Sequence, residues 1–231
     1  MPTTTTAAPT HPPPRRGPML NKFARSFATK IATPIAKILL RIHLSADAVT
    51  TIGALGVCTG ALWFFPRGEF APGVLFITFF VLFDLLDGTM ARLSGTTSTW
   101  GAFLDSTLDR LADGAVFGGL LLYYARQPHE TSATWASLFC LVFAFVTSYA
   151  RARAEGLGMT GANIGIAERA DRLLITLAGA FIVDIANLPS DTLGYILWAL
   201  AAASALTVWQ RMHAVAKEIE KKRTDHIHPV P

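Results

Sequence analysis

Residues 83–114 read FDLLDGTMARLSGTTSTWGAFLDSTLDRLADG, with long apolar runs on either side. The stretch holds Asp84, Asp87, Asp105, Asp109 and Asp113, with Arg92 and Arg110. Charges inside a membrane domain are expensive, so they mark function by default. At about 100° per residue, Asp84, Asp87, Gly88 and Ala91 share one stripe of a helix. Asp105 and Asp109 are i, i+4 neighbours on the next helix. The connection Gly95 to Trp100 makes the two helices antiparallel neighbours, so four carboxylates can converge. Without cations they would repel, and some would stay protonated. Divalent metal is the simplest resolution, and all-oxygen ligands suit Mg²⁺ or Mn²⁺. Gly88 and Ala91 leave the same stripe bare, so a ligand can approach the backbone. Two ions held this way stabilise the attacking and leaving oxygens of a phosphoryl displacement.

The rest of the chain places that stretch in a membrane. It has 231 residues, 20 Lys plus Arg, 16 Asp plus Glu, and 16% charged residues. Soluble domains average about 25% charged. With a mean hydropathy of +0.40, an ordinary soluble enzyme and a disordered chain are both excluded. Six spans are expected at 45–65, 71–94, 101–125, 133–155, 168–187 and 191–213. The fold class is therefore all-α, a six-helix transmembrane bundle. The loops around Arg67, Arg126 to Ser132 and Asn187 to Asp191 hold only two of the 20 basic residues, Arg67 and Arg126. By the positive-inside rule both termini, and the aspartates with them, face the cytosol. The pI of 9.3 is no nucleic-acid signal, because the basic residues lie mostly between and beside apolar runs. Cys58 and Cys140 lie inside such runs and suggest neither a disulfide framework nor a zinc site.

Residues 1–18, rich in Thr and Pro, read as a disordered cytosolic tail without a secretory signal. Residues 19–43 read as an interfacial, juxtamembrane segment. Leu20, Phe23, Phe27 and Ile31 recur at helical spacing, with Lys22, Arg25 and Lys30 between them. That suits an amphipathic helix in the headgroup layer, or a short cytosolic helix packed on the domain. The domain itself is expected over 44–216, followed by a cytosolic tail at 217–231 whose KEIEKKR run looks like a solvated helix end near anionic lipid. Gly53, Gly56 and Gly60 suit helix packing within a subunit or between subunits.

The pattern Asp84-x2-Asp87-Gly88-x2-Ala91-Arg92-x8-Gly101-x3-Asp105-x3-Asp109 resembles the complete signature of the CDP-alcohol phosphotransferases, eight fixed positions over 26 residues. The six-span layout resembles that family too. The resemblance implies Mg²⁺ or Mn²⁺, two ions per site, on Asp84, Asp87, Asp105 and Asp109. It implies a CDP-linked lipid as donor, attack of an alcohol on the β-phosphate, departure of CMP, and Asp109 as general base. It places Gly88, Ala91, Arg92 and Gly101 at the CDP-lipid. Arg92 suits the pyrophosphate, or a snorkelling anchor. Asp47 and Thr50 resemble the family's pattern at the start of its first span and imply nucleotide contact. Plain capping by Ser45 or Asp47 is the alternative. Asp113 lies outside the motif and reads as a supporting or solvated residue, and Arg110 as structural. Homodimers are usual in the family.

A second basic cluster comprises Arg151 and Arg153 with Glu155, then Glu168, Arg169 and Arg172, and finally Arg211. Guanidinium forks bind phosphate bidentately. Arg151, Arg153, Arg172 and Arg211, near the cytosolic ends of three spans, are therefore expected to hold an anionic acceptor. The Arg-Ala-Arg-Ala-Glu run and Gln210-Arg211 are similar to the actinobacterial branch of the family that uses 1D-myo-inositol 3-phosphate, where Lys often stands in place of Arg151. The resemblance implies phosphatidyl transfer from CDP-diacylglycerol to an inositol phosphate in the plasma membrane. The alternatives are glycerol 3-phosphate as acceptor, a prenyltransferase, or a transporter with the acids as a cation or proton site.

Overall fold

The computed structural model describes residues 33–95 and 98–227, apart from the side chains of residues 84, 85 and 225–227. The amphipathic helix expected around Leu20 to Ile31 and the tail before it lie outside the described residues. Helix α1 covers 33–41. Then come α2 (Ala46–Phe64), a 3₁₀ turn (Phe65–Arg67), α3 (Phe70–Ser94), α4 (Thr99–Tyr124), α5 (Thr131–Gly156), α6 (Arg169–Ile185) and α7 (Ser190–Ile227). There is no strand among the described residues. Four helices, α2, α3, α5 and α7, are long and apolar enough to cross a membrane. Helix α4 carries Asp105, Asp109, Arg110 and Asp113, and α6 has 17 residues.

The helices start where the chemistry lets them. Ser45 caps α2 by accepting from the Ala48 amide at 3.2 Å, and Ser98 caps α4 by accepting from Gly101 at 2.9 Å. Each serine satisfies an amide that the first turn would otherwise leave orphaned. Glu168 and Asp171 form a reciprocal capping box at α6. Gly95, at φ 66°, ends α3 in the left-handed conformation and turns the chain toward α4.

Helix α2 packs on α3 and α4, α4 on α5, and α5 on α7, with α6 against α3 and α7. Phe65, Ile77, Val116, Phe117, Leu120, Tyr124, Leu193 and Leu197 fill the core between them. The glycines of α2 serve packing within the subunit. A Cβ on Gly56 would stand 2.1 Å from the Phe80 ring of α3, and one on Gly60 would stand 2.6 Å from Phe76. Outward, Leu55, Leu75, Phe79, Phe103, Leu111, Leu174, Ile182 and Tyr195 are exposed on several helices. Apolar exposure on that scale suits a hydrocarbon surround.

The two ends differ. At one, Arg126 reaches the Pro66 carbonyl, Tyr124 reaches that of Ser190, and Asp184 accepts from the Ala71 amide. At the other, the α5–α6 connection docks on the last turns of α7. Glu218 accepts from Thr160 at 2.9 Å and Gly161 at 2.7 Å, while Lys222 donates to Gly158. This docking accompanies a longer last helix than the apolar pattern predicts. It continues past 213, through the 217–223 run, to Ile227.

Candidate active site

The site is built where α2 begins, α3 ends and α4 begins. Because Ser45 takes the cap, Asp47 is left to face the cavity. Thr50 donates its hydroxyl to the Ala46 carbonyl at 3.0 Å and lines the same space. A cavity of about 210 Å³ is bounded by Asp47, Thr50, Asp87, Gly88, Ala91, Ser98, Gly101 and Asp105, among others. A more enclosed space of about 40 Å³ shares Thr50, Asp87 and Asp105 and adds Gly53, Asp109 and Arg169. Gly101 keeps the larger one open. A Cβ there would stand 3.3 Å from both Asp47 Oδ1 and Ser98 Oγ.

Most residues expected from the two-helix motif therefore meet around one recess. Asp87, Asp105, Asp109, Gly88, Ala91 and Gly101 line it, and Asp47 and Thr50 join them from α2. Asp84 lies on the helical backbone of α3, three residues before Asp87; its side chain lies outside the described residues. Arg92 is exposed, donates to Thr89 Oγ1 at 3.1 Å and lines neither space.

The donor set fits a hard divalent cation. Four carboxylates, Asp47, Asp87, Asp105 and Asp109, bound the recess, Asp87 is buried at 8% exposure, and the glycine cradle admits a bulky oxygen-rich ligand. Among the described residues, no three acidic, His or Cys side chains close on a single point. Asp109 is instead turned onto guanidinium groups. Arg169 Nη2 bonds its Oδ1 at 2.9 Å, and Arg110 Nη2 lies 3.4 Å from its Oδ2.

Asp113 is not solvated. It is 3% exposed and faces three arginines. Arg169 Nε bonds its Oδ1 at 3.2 Å, while Arg110 Nε and Arg172 Nη2 lie 3.8 and 3.9 Å from its Oδ2. Arg110 is thereby engaged within the fold, as its structural reading expected.

The four arginines expected at the acceptor separate into two pairs. Arg172 and Arg211 are buried and meet at Thr147 of α5. Arg172 Nη1 bonds the Thr147 hydroxyl at 3.3 Å and the Ala167 carbonyl at 3.0 Å. Arg211 bonds the Thr147 carbonyl at 2.6 Å and that of Ile164 at 2.8 Å. Arg151 and Arg153 are exposed, and Arg151 pairs with Glu155 at 2.9 Å. None of the four lines the two spaces described above.

Arg169 is the site residue that sequence reasoning passed over. It stands in the same ERADR run as Arg172 and one position after the α6 cap, where a basic side chain carries no special signal. Its i, i+3 relation to Arg172 puts both on one face of α6. That spacing was the available clue.

Residues 43–209 match the family described as CDP-alcohol phosphatidyltransferase. The chain is 47% identical over 204 residues to a phosphatidylinositol phosphate synthase of Streptomyces avermitilis, covering 87% of this chain and 84% of the relative. It is 44% identical over 210 residues to the synthase of Cutibacterium acnes, covering 87% of this chain and all of the relative. Among solved structures, it resembles the phosphatidylinositol phosphate synthase of Mycobacterium tuberculosis with CDP-DAG bound. The TM-score is 0.77 and the identity 45%, over 80% of this chain and 94% of that one. A second structure of that protein, in complex with manganese and citrate, gives a TM-score of 0.76 at 45% identity, over 80% and 88% of the two chains.

Proposed function

The chain belongs to the CDP-alcohol phosphatidyltransferase family, and on that premise we propose that it is a metal-dependent phosphatidylinositol phosphate synthase. It moves the phosphatidyl group from CDP-diacylglycerol to 1D-myo-inositol 3-phosphate and releases CMP. The observation that carries this reading is the recess itself. It has carboxylates of α3 and α4 on one side and an arginine of α6 on the other.

The donor's nucleotide lies along Gly88, Ala91 and Gly101, with Asp47 and Thr50 at its base end. Small residues let a diphosphate approach the backbone there, and the Gly101 cradle supports this placement. Asp84, Asp87, Asp105 and Asp109 would hold two Mg²⁺ or Mn²⁺ ions, which when bound would supply positive charge to neutralise the diphosphate and the departing CMP. Asp109 takes the proton of the acceptor hydroxyl. The hydroxyl oxygen attacks the β-phosphorus, and the bond from that phosphorus to the oxygen bridging to the α-phosphate breaks. Arg92 steadies the pyrophosphate. Arg151, Arg153, Arg172 and Arg211 hold the phosphate of the acceptor. The pairing of Arg172 and Arg211 at Thr147 supports a common pocket, because it draws guanidinium groups of α6 and α7 to one point on α5.

The enzyme crosses the plasma membrane six times, with both termini and the active site in the cytosol. Arg67 and Arg126 stand at the end away from the aspartates, while the basic α7 extension stands at the other end. That asymmetry supports the orientation.

The test is an assay in membranes with CDP-diacylglycerol and four acceptors side by side: inositol 3-phosphate, glycerol 3-phosphate, serine and free inositol. Inositol 3-phosphate should give the fastest CMP release. Robust turnover of free inositol with no gain from its phosphate would defeat the phosphate pocket. A strong preference for glycerol 3-phosphate would keep the pocket and change the product.

A further inference from the structure

Asp113 has no role in the reaction as described, yet it is among the most deeply buried charges of the molecule, at 3% exposure. It lies one turn beyond Asp109 on the same face of α4. Three cations from two helices face it: Arg110 of its own helix, and Arg169 and Arg172 of α6. Two of these continue outward. Arg169 carries on from Asp113 to Asp109, bonding one carboxylate through Nε and the other through Nη2. Arg172 carries on from Asp113 to the Thr147 hydroxyl, and Arg211 meets the Thr147 carbonyl.

The physical consequence follows from charge. Arg110, Arg169 and Arg172 would repel one another around a neutral side chain in this buried setting. One carboxylate draws them together. An amide of the same shape keeps the volume but cannot supply that attraction. Arg169 would then lose the group that fixes its Nε edge, and its hold on Asp109 Oδ1 would loosen. The first turn of α6 is already fixed by the Glu168–Asp171 box, so the change would fall on side-chain aim rather than on the helix.

We propose that Asp113 is a positioning residue for the transfer reaction: it acts through Arg169 to orient Asp109 and through Arg172 to align the acceptor side with it. The inference rests on the reaction assigned above. Asp113 itself lines neither cavity, and its arginine contacts lie away from Asp47, Gly88 and Gly101 of the donor side.

The test uses the full chain, purified with Mg²⁺, as wild type, Asp113→Asn, Arg169→Gln and the double variant. For each, kcat and the KM for both substrates are measured, together with the melting shift produced by CMP. Asp113→Asn and Arg169→Gln should each lower kcat/KM for the acceptor by about tenfold or more. For Asp113→Asn the KM for CDP-diacylglycerol and the CMP-induced shift should stay within about twofold of wild type, since Asp113 lines neither cavity. The double variant should be no worse than the weaker single, because Asp113→Asn already cuts the link through Arg169 that Arg169→Gln removes. Losses that multiply in the double variant would overturn the proposal, as would unchanged acceptor kinetics in Asp113→Asn. So would disappearance of the CMP-induced shift in that variant, which would make Asp113 a folding residue. A wild-type chain inactive toward every acceptor would instead overturn the assigned reaction.

Discussion

The two walls of the recess handle charge in opposite ways. On the α2–α4 wall, Asp47, Asp87 and Asp105 border open space, among glycines and alanines that give a ligand room. On the α4–α6 wall, Asp109 sits against guanidinium groups of the same chain, and Asp113 lies buried behind it against the same groups. The first wall gathers negative charge that a cation from outside can offset. The second carries its own cations, three of them around one buried carboxylate. The proposed transfer of a phosphatidyl group from a diphosphate-linked lipid to a phosphorylated alcohol would use both, metal on the donor side and fixed positive charge on the acceptor side.

The largest expected effect breaks the first wall. Asp87→Ala should abolish turnover and also the Mg²⁺-dependent melting shift produced by CDP-lipid, because it removes an anionic ligand. A metal titration that still shifts melting as in wild type would move the metal site elsewhere. Next comes the residue shared by both walls. Asp109→Asn should lower kcat by about 10²–10⁴-fold, the usual contribution of a positioned base. Donor binding, read as the melting shift produced by CDP-diacylglycerol, should persist. Near-normal turnover would remove Asp109 from the base role.

Smaller changes separate the two arginine pairs. Arg211→Ala should raise the acceptor KM and also lower Tm, since two backbone carbonyls lose their donor. Arg153→Ala, at an exposed position, should raise the acceptor KM with a stability change within about 0.5 kcal/mol. Equal Tm losses in both variants would contradict the burial difference between them. The smallest effect is expected at Gly101→Ala. Its added methyl meets Asp47 and Ser98 at 3.3 Å, so the KM for CDP-diacylglycerol should rise a few fold while that for the acceptor holds.

The same contrast explains how much was legible before any coordinates. On the cavity wall of α3 and α4, periodicity places Asp87, Gly88 and Ala91 on one stripe and Asp105 and Asp109 one turn apart on the next helix, and the family resemblance adds Gly101. The start of α2 was readable from Ser45, and the break after α3 from the connection that begins at Gly95. The α6 wall was not, because its contacts are tertiary. Arg169 and Asp113 are 56 positions apart, and nothing local distinguishes Arg169 from an ordinary positive-inside residue. Asp113 continues the i+4 series whether it faces water or protein, and only the docking of α6 decides. The docking of the α7 end escaped for a related reason. Its polar run reads as a solvated helix end, and Glu218 ties it to loop amides far away in sequence.

The central claim is that this chain transfers a phosphatidyl group, with its β-phosphorus, to an acceptor that keeps its own phosphate. The direct measurement follows CDP-diacylglycerol labelled with ³²P at the β-phosphate, offered with unlabelled inositol 3-phosphate and Mg²⁺ to the purified protein. The account predicts that the label stays with lipid, in a product bearing one labelled diester and one unlabelled monoester phosphate, while unlabelled CMP is released in equal amount. Label appearing in the water-soluble fraction, or CMP release without a lipid product carrying two phosphates, would contradict it.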